Sequence, residues 1–158
     1  ELKRRRIVHA RVTQSPTDEW TAQQLREATP WGRGPKYLIR DRDSKYAARF
    51  SVVAVSSGIQ ELKTPYRTAH ANGICERFMG SLRRECLDYV LFHDGKHVQR
   101  VVREYTAYYN QERPHQGIGQ RIPNHYDLLK SMPTSRCIRS KAILGGLHHS
   151  YTRATFFS

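Results

Sequence analysis

Tyr37-Leu38-Ile39-Arg40-Asp41-Arg42-Asp43-Ser44-Lys45-Tyr46 is a short apolar run that stops at an acid. The run from Tyr37 to Arg40 fits a short buried strand, and Asp41 closes it. Downstream, Ala47, Phe50, Val53, Ala54 and Val55 follow helical spacing and give way near Ser56-Ser57-Gly58. Ile59 to Leu62 then fits a second short strand. After a loop from Thr64 to Ala71, Ile74, Phe78 and Leu82 recur every four residues, widened by Cys75, Met79 and Cys86. This spacing predicts a helix from Asn72 to about Val90, despite Gly73 and Gly80. Glu76 and Arg83 lie two turns apart beside its apolar face, so both can border a cleft while the helix packs. An acid at a strand end and an acid on a later helix can converge on a divalent metal. Between Asp41 and Glu76 lie 34 residues.

Upstream, Val8, Ala10 and Val12 alternate with His9, Arg11 and Thr13, which predicts a half-buried strand after the basic run Lys3-Arg4-Arg5-Arg6. Ser15-Pro16-Thr17-Asp18 predicts a helix start: Ser15 as cap, Pro16 in the first turn, Asp18 completing a capping box. Trp20, Leu25 and Ala28 form its stripe, and the Thr29–Pro35 stretch breaks it. Towards the other end, a turn at Asp94-Gly95 precedes the clearest helical stripe: Val98, Val101, Val102, Tyr105, Tyr108 and Tyr109. Arg113-Pro114-His115 ends that helix. Pro123 opens a last short helix, Ile122 to Leu129. After Ser131 periodicity fades, and Leu144 to His149 reads as a turn between short extended pieces. Strands and helices in alternation predict an α/β domain.

The chain has 158 residues, enough for one domain with a core. Lys and Arg total 27 against 14 Asp and Glu, a net charge of +13. That excess points to a polyanion, nucleic acid above all. No apolar run approaches the roughly 20 residues of a membrane span. Cys75 and Cys86 fall about 16 Å apart on one predicted helix and cannot bridge. Free thiols suit a reducing cytoplasm, and a basic protein there associates with the nucleoid. His93 and His97 have helical ligand spacing, but Gly95 lies between them and no third ligand is evident.

Four blocks in order resemble the catalytic core of bacterial insertion-sequence transposases and retroviral-type integrases. Arg40 to Tyr46 resembles the block around the second catalytic aspartate. Asn72 to Phe78 resembles the helix of the catalytic glutamate. Ser81 to Glu85 resembles the turn with a cation seven residues after that glutamate, and Tyr109 to His115 resembles the end of the core. The likeness covers roughly residues 5 to 125, and Leu144 to Tyr151 adds a weaker one.

The resemblance implies a ribonuclease-H-like mixed sheet flanked by helices, with its first strand missing here. It implies residues 1–130 as an integrase-type core, incomplete at its start, and 131–158 as a basic tail. It implies DNA transposition: strand cleavage at an element end, then transfer to target DNA, with three acids holding two Mg²⁺ or Mn²⁺ ions. Asp41 and Glu76 match two of the acids, with Asp43 as a second candidate beside Asp41. The first acid belongs to a strand expected ahead of Glu1. Arg83, Arg77, Arg67, Lys45 and Asn72 are the implied DNA contacts. Element ends and target DNA are the implied partners, with a homo-oligomer as the active form. With one acid absent, the isolated chain is expected to be weak or inactive. The alternative is a decayed, non-enzymatic remnant that binds DNA by charge. Without the resemblance, Asp41 and Glu76 read as ordinary surface acids.

Overall fold

The computed structural model describes residues 1–30, 34–65, 72–127 and 137–153. The chain divides into two compact units, Arg11–Gly80 on one side and Glu1–Ala10 with Ser81–Ser158 on the other.

In the Arg11–Gly80 unit, helix α1 (Asp18–Ala28) packs on α2 (Ala48–Ser56). Between and after them run β1 (Tyr37–Arg40) and β2 (Gln60–Lys63), paired in parallel from Tyr37↔Gln60 to Arg40↔Lys63. Parallel neighbours need a crossover, and α2 provides it. Ala22, Leu25, Phe50, Val53, Ala54 and Ile59 are buried together, with Leu38 and Tyr46 packed against them. Alternation along β1 turns Leu38 and Arg40 towards this core and leaves Tyr37 and Ile39 exposed.

The start of α1 departs from expectation. Thr17, not Ser15, is the N-cap, its Oγ1 accepting from Trp20 N at 3.2 Å. Asp18 closes no capping box. Its Oδ1 accepts from Ala47 N at 2.9 Å and Phe50 N at 3.0 Å, and its Oδ2 from Arg49 N at 2.8 Å. The N-cap of α2 is Ala47, which has no side-chain acceptor. A carboxylate from α1 therefore satisfies the free amides at the start of α2, where the helix end also favours negative charge.

The strand expected from Ile7 to Thr13 does not form, and Val8 and Val12 are exposed. A strand needs a neighbour offering a ladder of backbone groups. Ile7 instead meets a helix side chain: its N–H donates to Asn110 Oδ1 at 2.9 Å, and Asn110 Nδ2 donates to its carbonyl at 2.8 Å.

Helix α3 (Gly73–Glu85) spans the division between the units and stops short of Val90. Cys86 leaves helical torsions (φ −143°, ψ −64°) and is fully buried, and Leu87–Tyr89 form a 3-10 turn. Burial, then the Glu104 carboxylate, push the Cys86 thiol up to about 11. Helix α4 (Gly95–Gln111) is capped by Asp94, whose side chain accepts from His97 N at 2.6 Å. Its expected stripe is the buried one, with Val101, Val102, Tyr105 and Tyr109 inside. Pro123 opens a 3-10 turn, Pro123–His125, and residues 128–129 of the expected last helix lie outside the described residues. An antiparallel hairpin follows: β3 (Ile138–Ile143) and β4 (His148–Arg153) around a turn at Leu144–Gly146. Cys75, Cys86 and Cys137 form no disulfide.

Candidate functional site

Asp41 leaves the C-terminal end of β1, the end at which ligands meet open parallel sheets. Its neighbours hold its backbone in place. Arg40 is only 6% exposed, and its Nε pairs with Glu61 Oε2 on β2. Its Nη1 donates to the Asp41 carbonyl at 3.0 Å, and the guanidinium stands 5.8 Å from the Tyr46 ring centre. On the other side, Arg42 Nε donates to the Thr64 carbonyl at 3.1 Å. A buried cation keeps its charge only when paired and hydrogen-bonded, which Glu61 and the Asp41 carbonyl achieve. Burial opposes the charge of Glu61, but Arg40 and Ser51 outweigh it and hold the carboxyl below its usual range.

The two neighbouring aspartates differ. Asp43 has both oxygens engaged: Oδ1 accepts from Lys45 N at 3.0 Å, and Oδ2 from Lys45 Nζ at 2.8 Å. The Lys45 ammonium holds the Asp43 carboxyl below its usual range, and the same contact raises Lys45. Asp41 accepts one bond, from Asp43 N to Oδ1 at 3.2 Å, an Asx turn. Among the described residues its Oδ2 has no hydrogen bond. One carboxylate shapes the loop and the other keeps an oxygen available.

Glu76 stands exposed in the first turn of α3, with no ion pair or hydrogen bond among the described residues. The Cys75 thiol is raised first by burial, then by Glu76 and by Asp41. Among the described residues no group of three or more His, Cys, Asp or Glu is placed to hold a metal. Two unpaired carboxylates still suit a hard cation. Mg²⁺ is commonly held by one or two carboxylates, completed by water and phosphate oxygens.

Arg83 lies seven residues after Glu76 on the same side of α3, 77% exposed at its side chain, with Nε 3.3 Å from Asp88 Oδ1. Arg77 is exposed and Asn72 is half-buried just ahead of α3. Lys45 is tied to Asp43. Arg67, with Tyr66, lies outside the described residues.

Glu85 is a hub that sequence reading missed. Arg113 grips it with two bonds, Nη2 to Oε1 at 2.6 Å and Nε to Oε2 at 2.8 Å, and Tyr105 Oη donates to Oε2 at 2.9 Å. Burial opposes its charge, but Arg113 and Tyr105 outweigh it and hold the carboxyl below its usual range. Arg113 also donates to His115 Nδ1 at 3.2 Å, while His115 Nε2 lies 2.9 Å from the Tyr109 carbonyl. A carbonyl can only accept and a guanidinium can only donate, so His115 is the neutral tautomer with its proton on Nε2. No local pattern marks Glu85, since Arg113 lies 28 residues away.

Comparison with known proteins gives the family of the chain. Residues 57–123 match the family described as integrase core domain, a stretch that contains Glu76 and Arg83 and begins after Asp41. The "Insertion element IS600 uncharacterized 31 kDa protein" of Shigella sonnei is 31% identical over 121 residues, covering 74% of this chain and 44% of that protein. The "Putative transposase InsD for insertion element IS2E" of Escherichia coli (strain K12) is 29% identical over 93 residues, covering 58% and 43%. The chain thus spans less than half the length of these curated relatives. A chain in the cryoEM structure titled simian T-cell lymphotropic virus intasome in complex with PP2A regulatory subunit B56 gamma superposes with a TM-score of 0.61. That match has 16% identity and covers 88% of this chain and 53% of the other. Together with the integrase core match, it assigns the ribonuclease-H-like α/β fold.

Proposed function

We propose, from the premise that this chain belongs to the insertion-sequence transposase and integrase core family, that its own role is phosphodiester cleavage and strand transfer on DNA. Asp41 and Glu76 are the acids we assign to the reaction. The observation that carries this reading is their shared availability: among the described residues Asp41 Oδ2 has no hydrogen bond and Glu76 has no ion pair or hydrogen bond. Asp43 is committed to Lys45, which supports Asp41 over it.

In this reading Asp41 and Glu76 hold Mg²⁺ or Mn²⁺, which would supply activation of the attacking oxygen and stabilisation of the leaving one. The rigid pairing of Arg40 with Glu61 fixes the Asp41 backbone, so little freedom is lost when it binds. Arg83 takes a phosphate with its planar guanidinium, leaving Asp88 as it does so. Arg77 and Asn72 border the same helix start. Arg67 stays in the proposal from the family resemblance. Lys45 serves first to restrain Asp43 and second as a nearby cation. We assign residues 1–130 to the core and 131–158 to a basic appendage, DNA ends and target as partners, a homo-oligomer as the working state, and the nucleoid as its place. Among the described residues, no helix is long and apolar enough to cross a membrane.

The test is Mg²⁺- or Mn²⁺-dependent nicking and joining of oligonucleotides that carry the element's ends, with Mn²⁺ binding measured in parallel. Glu76→Gln and Asp41→Asn should each lower activity and Mn²⁺ affinity by at least about 10–100-fold, the range seen for groups that merely support metal ligands. Asp43→Asn should cost far less. A second reading, DNA binding without chemistry, is favoured because among the described residues no group of three or more His, Cys, Asp or Glu is placed to hold a metal. It prevails if DNA is bound, Mn²⁺ is not, and no joined product forms.

A further inference from the structure

We propose that the outward face of the β3–β4 hairpin is a stacking platform for unpaired bases of single-stranded DNA. It does not involve Asp41 or Glu76 and needs no metal.

The described contacts fasten the hairpin by one face. Ile143 is buried, and the His148 ring stacks on Tyr108 with centroids 4.8 Å apart and planes 9° from parallel. His148 Nε2 reaches the Glu85 carbonyl at 2.7 Å, and Leu144 N donates to Glu104 Oε1 at 2.6 Å. On the same face, Ser150 bonds Glu112, and Lys141 Nζ lies 3.9 Å from it. These contacts to α3 and α4 hold the ribbon by that face.

The other side carries Ile138, Ser140 and Ala142 on β3, and His149, Tyr151 and Arg153 on β4. Tyr151 is 69% exposed and Ile138 is 68% exposed. The register sets Tyr151 opposite Ser140 and His149 opposite Ala142. Both cross-strand partners are too short to cover a ring. The His149 and Tyr151 rings lie 6.2 Å apart and 30° from parallel. Two residues along a strand advance about 6.6–6.8 Å, close to twice the roughly 3.4 Å rise of stacked bases. From Cys137 to Arg153 the segment has three cations, Arg139, Lys141 and Arg153, and no Asp or Glu.

Exposed rings beside Arg153, on a hairpin without Asp or Glu, suit a strand whose bases are exposed and whose backbone is anionic. A duplex fits less well. Its base edges are read by long polar side chains reaching into a groove, and Ser140 and Ala142 cannot reach.

The experiment is fluorescence anisotropy of the full chain in chelator, with an oligothymidylate and with a duplex of the same length. Tyr151→Ala should weaken single-strand binding by about tenfold, since stacking on one aromatic ring contributes roughly that much. Tyr151→Phe, which keeps the ring, should bind as the parent does. Duplex binding should be unchanged in both. The proposal is overturned if Tyr151→Ala leaves single-strand affinity intact, if Tyr151→Phe is as weak as Tyr151→Ala, or if duplex and single strand weaken together. Failure of joining activity with this binding intact would count against the proposed chemistry and leave the platform standing.

Discussion

Asp18 sits in the first turn of one helix and completes the start of another. Burial favours its neutral form, but the amides of Phe50, Arg49 and Ala47 outweigh that and hold its carboxyl below the usual range. The folded chain therefore takes up this proton less readily than the unfolded one. Its contribution to stability is complete above about pH 3.9 and is lost as pH falls through the lowered folded value. Asp18→Asn should lower the melting temperature at neutral pH and flatten the acid limb of the stability profile. His115 works in the same direction at a higher pH. Burial is the main cause that lowers it, with Arg113 adding, against the bond to the Tyr109 carbonyl. Its neutral form is the folded one, so stability should fall as pH drops below about 6.5. Urea titrations at pH 8, 7, 6 and 5 should show that loss, and His115→Gln should reduce it.

Helix α4 depends on what its buried face meets more than on its intrinsic preference. Its Tyr105 is fully buried and donates to Glu85, which Arg113 then neutralises. Burial first, then Glu85, raise the Tyr105 hydroxyl well above its ordinary value, so it stays a donor at any working pH. Removing Arg113 would leave Glu85 half-buried with one donor. Arg113→Ala should cost about 1–3 kcal/mol, read as a lower urea midpoint, and Arg113→Lys should recover only part because Lys cannot form the paired bonds. Tyr105→Phe should cost about 1 kcal/mol, the net value of one hydrogen bond. If Arg113→Lys matches the parent, the two-bond geometry is irrelevant to stability.

A net charge of +13 over 158 residues makes polyanion binding the dominant long-range property of the chain. Each phosphate neutralised should add about −0.9 to the slope of log affinity against log salt on duplex DNA. Arg83→Ala should reduce that slope by roughly one contact and weaken all duplexes alike, whatever their sequence. A sequence-dependent loss would show instead that Arg83 reads bases. Tyr37 and Ile39 on the sheet leave part of the Arg11–Gly80 unit apolar at its surface, which is unusual for parallel strands.

Amphipathic periodicity marked α2, α3 and α4, because a helix that buries one face must repeat near 3.6 residues. The β1 and β2 runs were equally legible, since their signals are local. What sequence could not disclose were the bonds between distant segments. Alternation at Ile7 to Thr13 describes an extended chain but cannot say whether a strand or the Asn110 amide will meet it. Asp18 looked like a cap for its own helix because the amides of Ala47, Arg49 and Phe50 become its neighbours only when α1 packs on α2. Asp41 and Asp43 are alike on paper; the turn puts Lys45, two residues along, on Asp43, and among the described residues Asp41 Oδ2 has no hydrogen bond.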